Sequence, residues 1–184
     1  MKAQLNHIAL LVEDLDQIVQ SQLFSSLELG PVETFESEGT KEIYIGPNCS
    51  TAKMLLLEAI SDGPYKRAMQ SRGPGLHHIC IDVLNILDFL DTLSGSGWYL
   101  HTSSLHLYQN CKQVFLARSS TPVLIEVNEV KKFSKQTHYI KSFHFPLNKY
   151  NLIDALSCPS LYIDDSSYFK LNNRTLSIES ILKV

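Results

Sequence analysis

The stretch "GLHHICIDV", residues 75–83, has a partial copy in "NHIALLV", residues 6–12. A shift of 71 residues lays "HIALLVEDLDQIV" (7–19) on "HICIDVLNILDFL" (78–90), which pairs His7 with His78, Val12 with Val83, Leu15 with Ile86 and Ile18 with Phe89. With no gap, the same shift lays "KEIYIG" (41–46) on "KQVFLA" (112–117) and "KMLLLE" (53–58) on "LIEVNE" (124–129). Three blocks at one offset are an internal repeat, and a repeat decides the fold before any single motif is weighed.

Each copy carries one order of elements. A strand (about 5–12, about 76–83) runs into an amphipathic helix whose apolar residues, Leu15, Ile18, Val19, Leu23 and Ile86, Phe89, Leu90, Leu93, recur at three and four positions. Asp14 and Asn85 stand where N-caps belong, and glycines (Gly30, then Gly95 and Gly97) are expected to end the helical stretches. Short β-rich runs follow, giving β-α-β-β-β twice. The segment "SDGPYKRAMQSRGPG" (61–75) reads as a connector with a short helical centre. The predicted fold is α+β: two pseudo-symmetric βαβββ modules, 1–61 and 75–130, forming one domain over 1–130, with a C-terminal extension over 131–184.

The 184 residues are 44% hydrophobic, enough for one domain with a real core and a small appendage. A formal charge of -3, with no cluster of four or more Lys/Arg, argues against nucleic acid and membrane surfaces as partners. A strand pattern begins within a few residues of Met1, and no apolar run approaches the ~18 residues of a membrane span. Cys49, Cys80, Cys111 and Cys158 are scattered, as free thiols are. The expectation is a cytoplasmic protein acting on a small molecule.

Alternate side chains of a strand share a face, so equivalent positions of two related halves can converge on one cavity. His7 and His78 form such a pair, and the shift sets Glu126 against Leu55 on the last strand of each half. Two imidazoles and one carboxylate suit a borderline divalent cation and leave coordination positions open. A histidine at a strand start is more often a hydrogen-bonded structural residue, but the repeat favours a metal. Glu126, between Ile125 and Val127, is costly in a core strand unless paired or bound to a cation. His77, next to His78, is expected to point to the opposite face.

These residues resemble the vicinal oxygen chelate superfamily (glyoxalase, bleomycin resistance and extradiol dioxygenase proteins), and within it the methylmalonyl-CoA epimerases. The resemblance covers residues 1 to about 130 and is closest in "NHIALLVEDLDQ", "DGPYKRAMQSRGPGLHHICIDV" and "TPVLIEV". It implies one divalent metal ion (Co, Mn, Zn, Ni or Fe) held by His7, His78 and Glu126. A fourth family ligand falls on Leu55, where this chain departs from the pattern. A carboxylate that moves the α-proton falls on Glu42, with Glu126 as the other catalytic carboxylate. The stretch "SSLHLYQNCK" (103–112), read as a loop before the seventh strand, lacks the glycines usual there.

The implied activity is a metal-dependent epimerase or isomerase of an acyl-CoA-type thioester, working through an enolate that the metal stabilises. Gln113, the mate of Glu42, cannot ionise, so the second proton transfer falls to Glu126 or a water. Tyr44 and Phe115, also mates, share the face of Glu42 and Gln113, and Lys66, Arg67 and Arg72 of the connector are candidate contacts for phosphates. A non-haem Fe(II) dioxygenase of the same superfamily is an alternative, since two histidines and one carboxylate also form its facial triad. A non-catalytic binding or assembly protein is another.

The tail begins at "KKFSKQT" (131–137). A shift of 66 lays "HHICIDVLNILDFL" on "FHFPLNKYNLIDAL", pairing His78 with His144 and Asn85 with Asn151, and the runs "SLYID" and "TLSIES" follow. The tail is therefore read as a truncated third module, β-α-β-β, or as an unrelated α+β appendage. Pro146 argues against a central strand position, and unpaired sheet edges would favour packing on the main domain or a homodimer.

Overall fold

The computed structural model describes residues 2–119, 121–146 and 154–183. The first half runs β1 (Gln4–Val12), α1 (Leu15–Gln20), β2 (Leu29–Phe35), β3 (Thr40–Ile45) and β4 (Lys53–Ala59). After α2 (Pro64–Arg72) the second half runs β5 (Gly75–Val83), α3 (Ile86–Thr92), β6 (Tyr99–Leu100), α4 (Ser104–Cys111), β7 (Gln113–Arg118) and β8 (Thr121–Glu129). These strands form one eight-stranded sheet in the order β2-β3-β4-β1-β5-β8-β7-β6. Within each half the first strand runs parallel to the last, and the halves meet through the antiparallel pair β1 and β5.

The helix starts repeat as closely as the strands do. The Asp14 side chain accepts from the Gln17 amide at 2.9 Å, and the Asn85 side chain accepts from the Asp88 amide at 3.1 Å. A carboxylate at the end of each half's last strand adds a second cap: Glu58 accepts from the Leu15 amide and Glu129 from the Ile86 amide, both at 3.0 Å. Two satisfied N–H groups per helix fix the strand-to-helix turn in both halves. The first helix is shorter than expected, because Ser21 caps it and Gly30 lies inside β2.

Alternation on the central strands divides the residues cleanly. Ile8, Leu10, Val12, Met54, Leu56, Ile79, Ile81, Val83, Ile125 and Val127 join Leu15, Ile18, Ile86 and Phe89 in the main core. Each such side chain contributes about 1.5–3 kcal/mol by leaving water. The opposite face carries the smaller group Ala9, Leu11, Leu55 and Leu57, against which Tyr65, Ala68 and Met69 of α2 pack. The connector thus lies over one end of the face left free by the core. Among the described residues no helix is long and apolar enough to cross a membrane.

The tail builds a second sheet from β9 (Ser142–Phe145), β10 (Leu161–Ile163), β11 (Tyr168–Lys170) and β12 (Thr175–Ser177), followed by α5 (Ile178–Leu182). Its order is β10-β9-β11-β12, so the first strand lies inside, parallel to β10 and antiparallel to β11. In both modules the first strand instead pairs with the last strand of its own half. The shift of 66 therefore aligns strands that have different neighbours. The start of the helix expected after Asn151 lies outside the described residues. Pro146 directly follows β9, where a missing N–H costs no ladder bond. "TLSIES" divides into β12 and the start of α5, and β11 has no counterpart in the sequence reading.

The tail packs on the main core through Ile140, Phe143, Phe145, Phe169, Leu176, Ile178 and Ile181. It is anchored by amide bonds from Tyr139 to the Thr51 carbonyl and from Ile140 to the Ala52 carbonyl, at 2.7 and 2.8 Å. Gly46 permits this approach: its φ is +132°, and a Cβ there would stand 2.7 Å from the Tyr139 ring.

Candidate metal centre

Two bulges set the site. Across β1 and β5, Leu5 lies opposite Ile81 and His7 opposite Cys80, then Ala9 opposite His78 and Leu10 opposite Leu76. The register slips at Asn6 and again at His77, so each is an extra residue on its strand. The two bulged residues stand at the same 71-residue offset as the histidines that follow them. Leu76 and Ile79 both pack on the core, while His77 and His78 turn together to the other face. The expectation that His77 points away from His78 is corrected by the bulge. His77 is buried, with its ring 4.8 Å from that of Tyr65.

The geometry brings the three sequence-derived donors together. His7 Nε2 and His78 Nε2 are 3.0 Å apart, and Glu126 Oε2 lies 3.2 Å from His78 Nε2 and 3.9 Å from His7 Nε2. Donors that share one ion at about 2.0–2.2 Å stand roughly 3–4 Å from one another, so these separations fit a single cation. All three side chains are buried. Burial holds the histidines neutral, the form that ligates: it lowers His7 to about 3 and, with the basic groups of His7, His77 and Arg72 nearby, takes His78 well below the usual range. A neutral imidazole with one ring nitrogen already hydrogen-bonded is the ligand form that metal sites use.

The carboxylate is held from several sides. Gln113 Nε2 donates to Glu126 Oε1 at 2.6 Å, and Asn128 Nδ2 donates to the same oxygen at 3.2 Å. Oε2 is left facing the imidazoles. Burial raises Glu126, and the hydrogen bonds from Asn128, Cys80 and Gln113 oppose that shift. Cys80 is a residue that the sequence reading passed over. It lies in the row between His7 and Glu126, accepts from Asn128 Nδ2 at 3.1 Å, and shares with those two a set of donor atoms all within 4.8 Å of one another. Burial, then the Glu126 and Asp82 carboxylates, push its thiol well up. The available signal was its place two residues beyond His78, on the same strand face.

Leu55 sits on the site face, in the group with Ala9, Leu11 and Leu57, and offers no donor. Glu42 accepts from Thr40 Oγ1 at 2.7 Å and is raised chiefly by burial, with Glu126 among the carboxylates that add to the shift. Tyr44 and Phe115 stand edge-on to their own half's histidine, Tyr44 with its centroid 5.7 Å from that of His7 and Phe115 6.1 Å from that of His78. Arg72 donates to the Pro122 carbonyl. "SSLHLYQNCK" is helix α4 instead of a loop, closed by Lys112 in the left-handed conformation. His144 belongs to a separate cluster on the tail sheet, stacked between Tyr162 and Tyr168 and bonded to Ser142 Oγ at 2.9 Å.

No family model and no curated protein matches the chain. Solved structures do. A hypothetical protein from Bacillus halodurans is 26% identical, with a TM-score of 0.58 over 74% of this chain and 100% of its own. A methylmalonyl-CoA epimerase in complex with methylmalonyl-CoA and ammonium is 20% identical, with a TM-score of 0.54 over 74% of this chain and 99% of its own. The methylmalonyl-CoA epimerase of Mycobacterium tuberculosis is 21% identical, with a TM-score of 0.52 over 68% of this chain and 86% of its own. At these identities the shared property is the fold: this chain has the paired-module fold of the vicinal oxygen chelate proteins, built around one mixed eight-stranded sheet.

Proposed function

We propose that this protein is a metal-dependent isomerase that moves the α-proton of an acyl thioester, with His7, His78 and Glu126 as metal ligands and Glu42 as the base. The observation that carries the reading is the meeting of His7 Nε2, His78 Nε2 and Glu126 Oε2 on the sheet face opposite the main core. A divalent cation held there would act as a Lewis acid toward negative charge developing on a thioester oxygen. Gln113 and Asn128 keep Glu126 Oε1 occupied, so Oε2 remains directed at the imidazoles. Glu42 is half-buried and raised by that burial, which brings a carboxyl toward the range a general base needs. Thr40 Oγ1 orients it. A change of configuration also needs a proton on the opposite face. Gln113 stands in Glu42's place there without an ionisable group, so this step falls to Glu126 or a water. The choice of a thioester rests on epimerase neighbours, one in complex with methylmalonyl-CoA and another with 2-nitronate-propionyl-CoA.

The test is exchange of the α-proton of methylmalonyl-CoA with deuterium in solvent, followed by mass spectrometry on protein reconstituted with Co(II). Glu42→Gln should slow exchange about 10²–10⁴-fold, the usual contribution of a positioned acid or base, with bound metal unchanged. Exchange that survives the substitution would remove Glu42 from this role. Leu55 favours a second reading, because two histidines and one carboxylate with no donor at position 55 match the facial triad of Fe(II) oxygenases. Oxygen uptake on a catechol by the Fe(II)-loaded protein, without thioester exchange, would select it.

A further inference from the structure

The two candidate histidine ligands are held differently at their second ring nitrogen. Asn6 Nδ2 donates to Asp82 Oδ1 at 2.9 Å, which turns Asn6 Oδ1 toward His7 Nδ1, 2.9 Å away. An amide oxygen only accepts, so His7 carries its proton on Nδ1 and presents a lone pair at Nε2. His78 Nδ1 instead lies 2.9 Å from His77 Nδ1, and either imidazole can donate. Without an ion, a 3.0 Å contact between His7 Nε2 and His78 Nε2 is a hydrogen bond, and its direction follows. One of these nitrogens must bear hydrogen, and Asn6 has excluded His7. His78 therefore carries its proton on Nε2, and its Nδ1 accepts from His77 Nδ1. A cation needs the opposite tautomer, with His78 Nε2 bare and Nδ1 protonated.

We propose that His77 is a positioning residue for the candidate metal centre: its Nδ1 becomes the acceptor for His78 Nδ1–H when an ion binds, so that the His77–His78 hydrogen bond reverses while the Asn6–His7 bond does not. Both rings stay neutral. His77 passes its Nδ1 proton along the hydrogen bond to His78 Nδ1, the ion displaces the Nε2 proton of His78, and His77 takes up one proton at Nε2, so the count is unchanged. Three observations support the assignment. His77 sits at the bulge equivalent to that of Asn6. Its ring lies against Tyr65, at an interplanar angle of 30°, which limits its rotation. It is buried, so water does not take its place at His78. The proposal rests on the metal reading above.

The experiment loads the full chain, purified without a histidine tag, with Zn(II) alone. Nitrogen-15 NMR of labelled histidine reports the tautomers, and chelator competition gives the affinity. The expected result is that Zn(II) leaves His7 as the Nδ1–H form and switches both His77 and His78. His77→Phe should weaken Zn(II) binding about 10–100-fold, the range seen when an outer-shell partner is lost. His77→Asn, which copies Asn6, should restore binding to within a few-fold of wild type. Bound Zn(II) with unswitched His77 and His78, or a His77→Phe protein that binds as tightly as wild type, would overturn the role of His77 and leave the metal reading standing. Failure of the wild type to bind Zn(II), Co(II) or Fe(II) would bring down the metal reading, and this proposal with it. The tautomer measurement uses wild-type protein, so it holds even if His77→Phe does not fold.

Discussion

The two halves of the sheet share a backbone plan and differ in what they place on the site face. Around its corner the second half sets Glu126, with Gln113, Asn128 and Cys80 bonded to it or lying beside it. The equivalent positions of the first half are Leu55, Glu42, Leu57 and Ala9, three of them apolar and packed under α2. One half has kept the polar support that a buried carboxylate requires, and the other has filled the same space with aliphatic carbon. Glu42 is the exception. It is a carboxylate where the second half has an amide, and it accepts from Thr40 Oγ1 at 2.7 Å. The repeat sets the scaffold and the His7–His78 pair, and the two halves differ at the carboxylate corner.

Exchanging the corners gives the largest expected effect. Glu126→Leu copies the first half and removes the only carboxylate among the proposed ligands, so metal affinity should fall by more than the ~10–100-fold typical of outer-shell losses. Gln113 would lose its acceptor as well, while Asn128 would keep the Cys80 sulfur. The converse exchange, Leu55→Glu, brings a fourth donor to the site face and should tighten binding. Chelator competition on both variants measures this. Unchanged affinity in Glu126→Leu would show that the two corners are equivalent and that neither ligates.

Much of this arrangement was legible before any coordinates. The 71-residue shift placed the modules, both N-caps and the three donors, because strand alternation carries a side chain's face directly from its position in sequence. It could not place His77, since a bulge is a property of pairing between strands and leaves no mark on the period of one of them. One clue was available: Asn6 and His77 are both polar, at the same offset, just ahead of the repeated histidine. Helix α4 was missed because Ser103–Lys112 carries few apolar residues at helical spacing. Its buried position is Ser104, whose hydroxyl bonds both the carbonyl and the amide of Phe115 at 2.8 Å. In the tail, local pattern identified strands and left their order undetermined, because the central place of β9 depends on pairing with β11, three residues long and unread.

Acid separates the ion-free protein from neutral conditions by the next largest amount. The folded-state values of His7 and His77, about 3 and about 4, lie below the ordinary value near 6.5 that both take when unfolded. A depressed histidine adds nothing to the pH dependence above 6.5. Below it the unfolded chain binds protons that the folded chain refuses, and stability falls until the folded value is reached. Each histidine costs up to about 1.4 kcal/mol per pH unit in that window, so the two together cost roughly 2.4 kcal/mol between pH 6 and 5. That is a large share of the about 5–15 kcal/mol that holds a typical domain. Glu126, raised by burial, offsets part of it as it takes up a proton. Urea unfolding of chelator-treated protein at pH 7, 6 and 5 measures the slope. A midpoint that does not move beyond the Glu126 offset would show that the histidines take up protons in the fold as they do when unfolded.

The smallest effect isolates the one difference between how the two histidines are held. His77→Asn gives the second half the partner that the first half already uses. The amide oxygen can accept from His78 Nδ1 as Asn6 Oδ1 does from His7, so the fold and the metal affinity should be close to wild type. What changes is the proton count. An asparagine does not titrate in either state, so the variant loses one of the groups whose folded value is depressed. Its stability should decline less steeply below pH 6.5, by up to about 1.4 kcal/mol per pH unit. A matching pair of variants tests whether the slope belongs to this position: Asn6→His should steepen the decline by a similar amount, provided the new ring is buried as His77 is. If His77→Asn and wild type lose stability in parallel, His77 is already protonated in the folded chain, and it cannot then accept a hydrogen bond from His78.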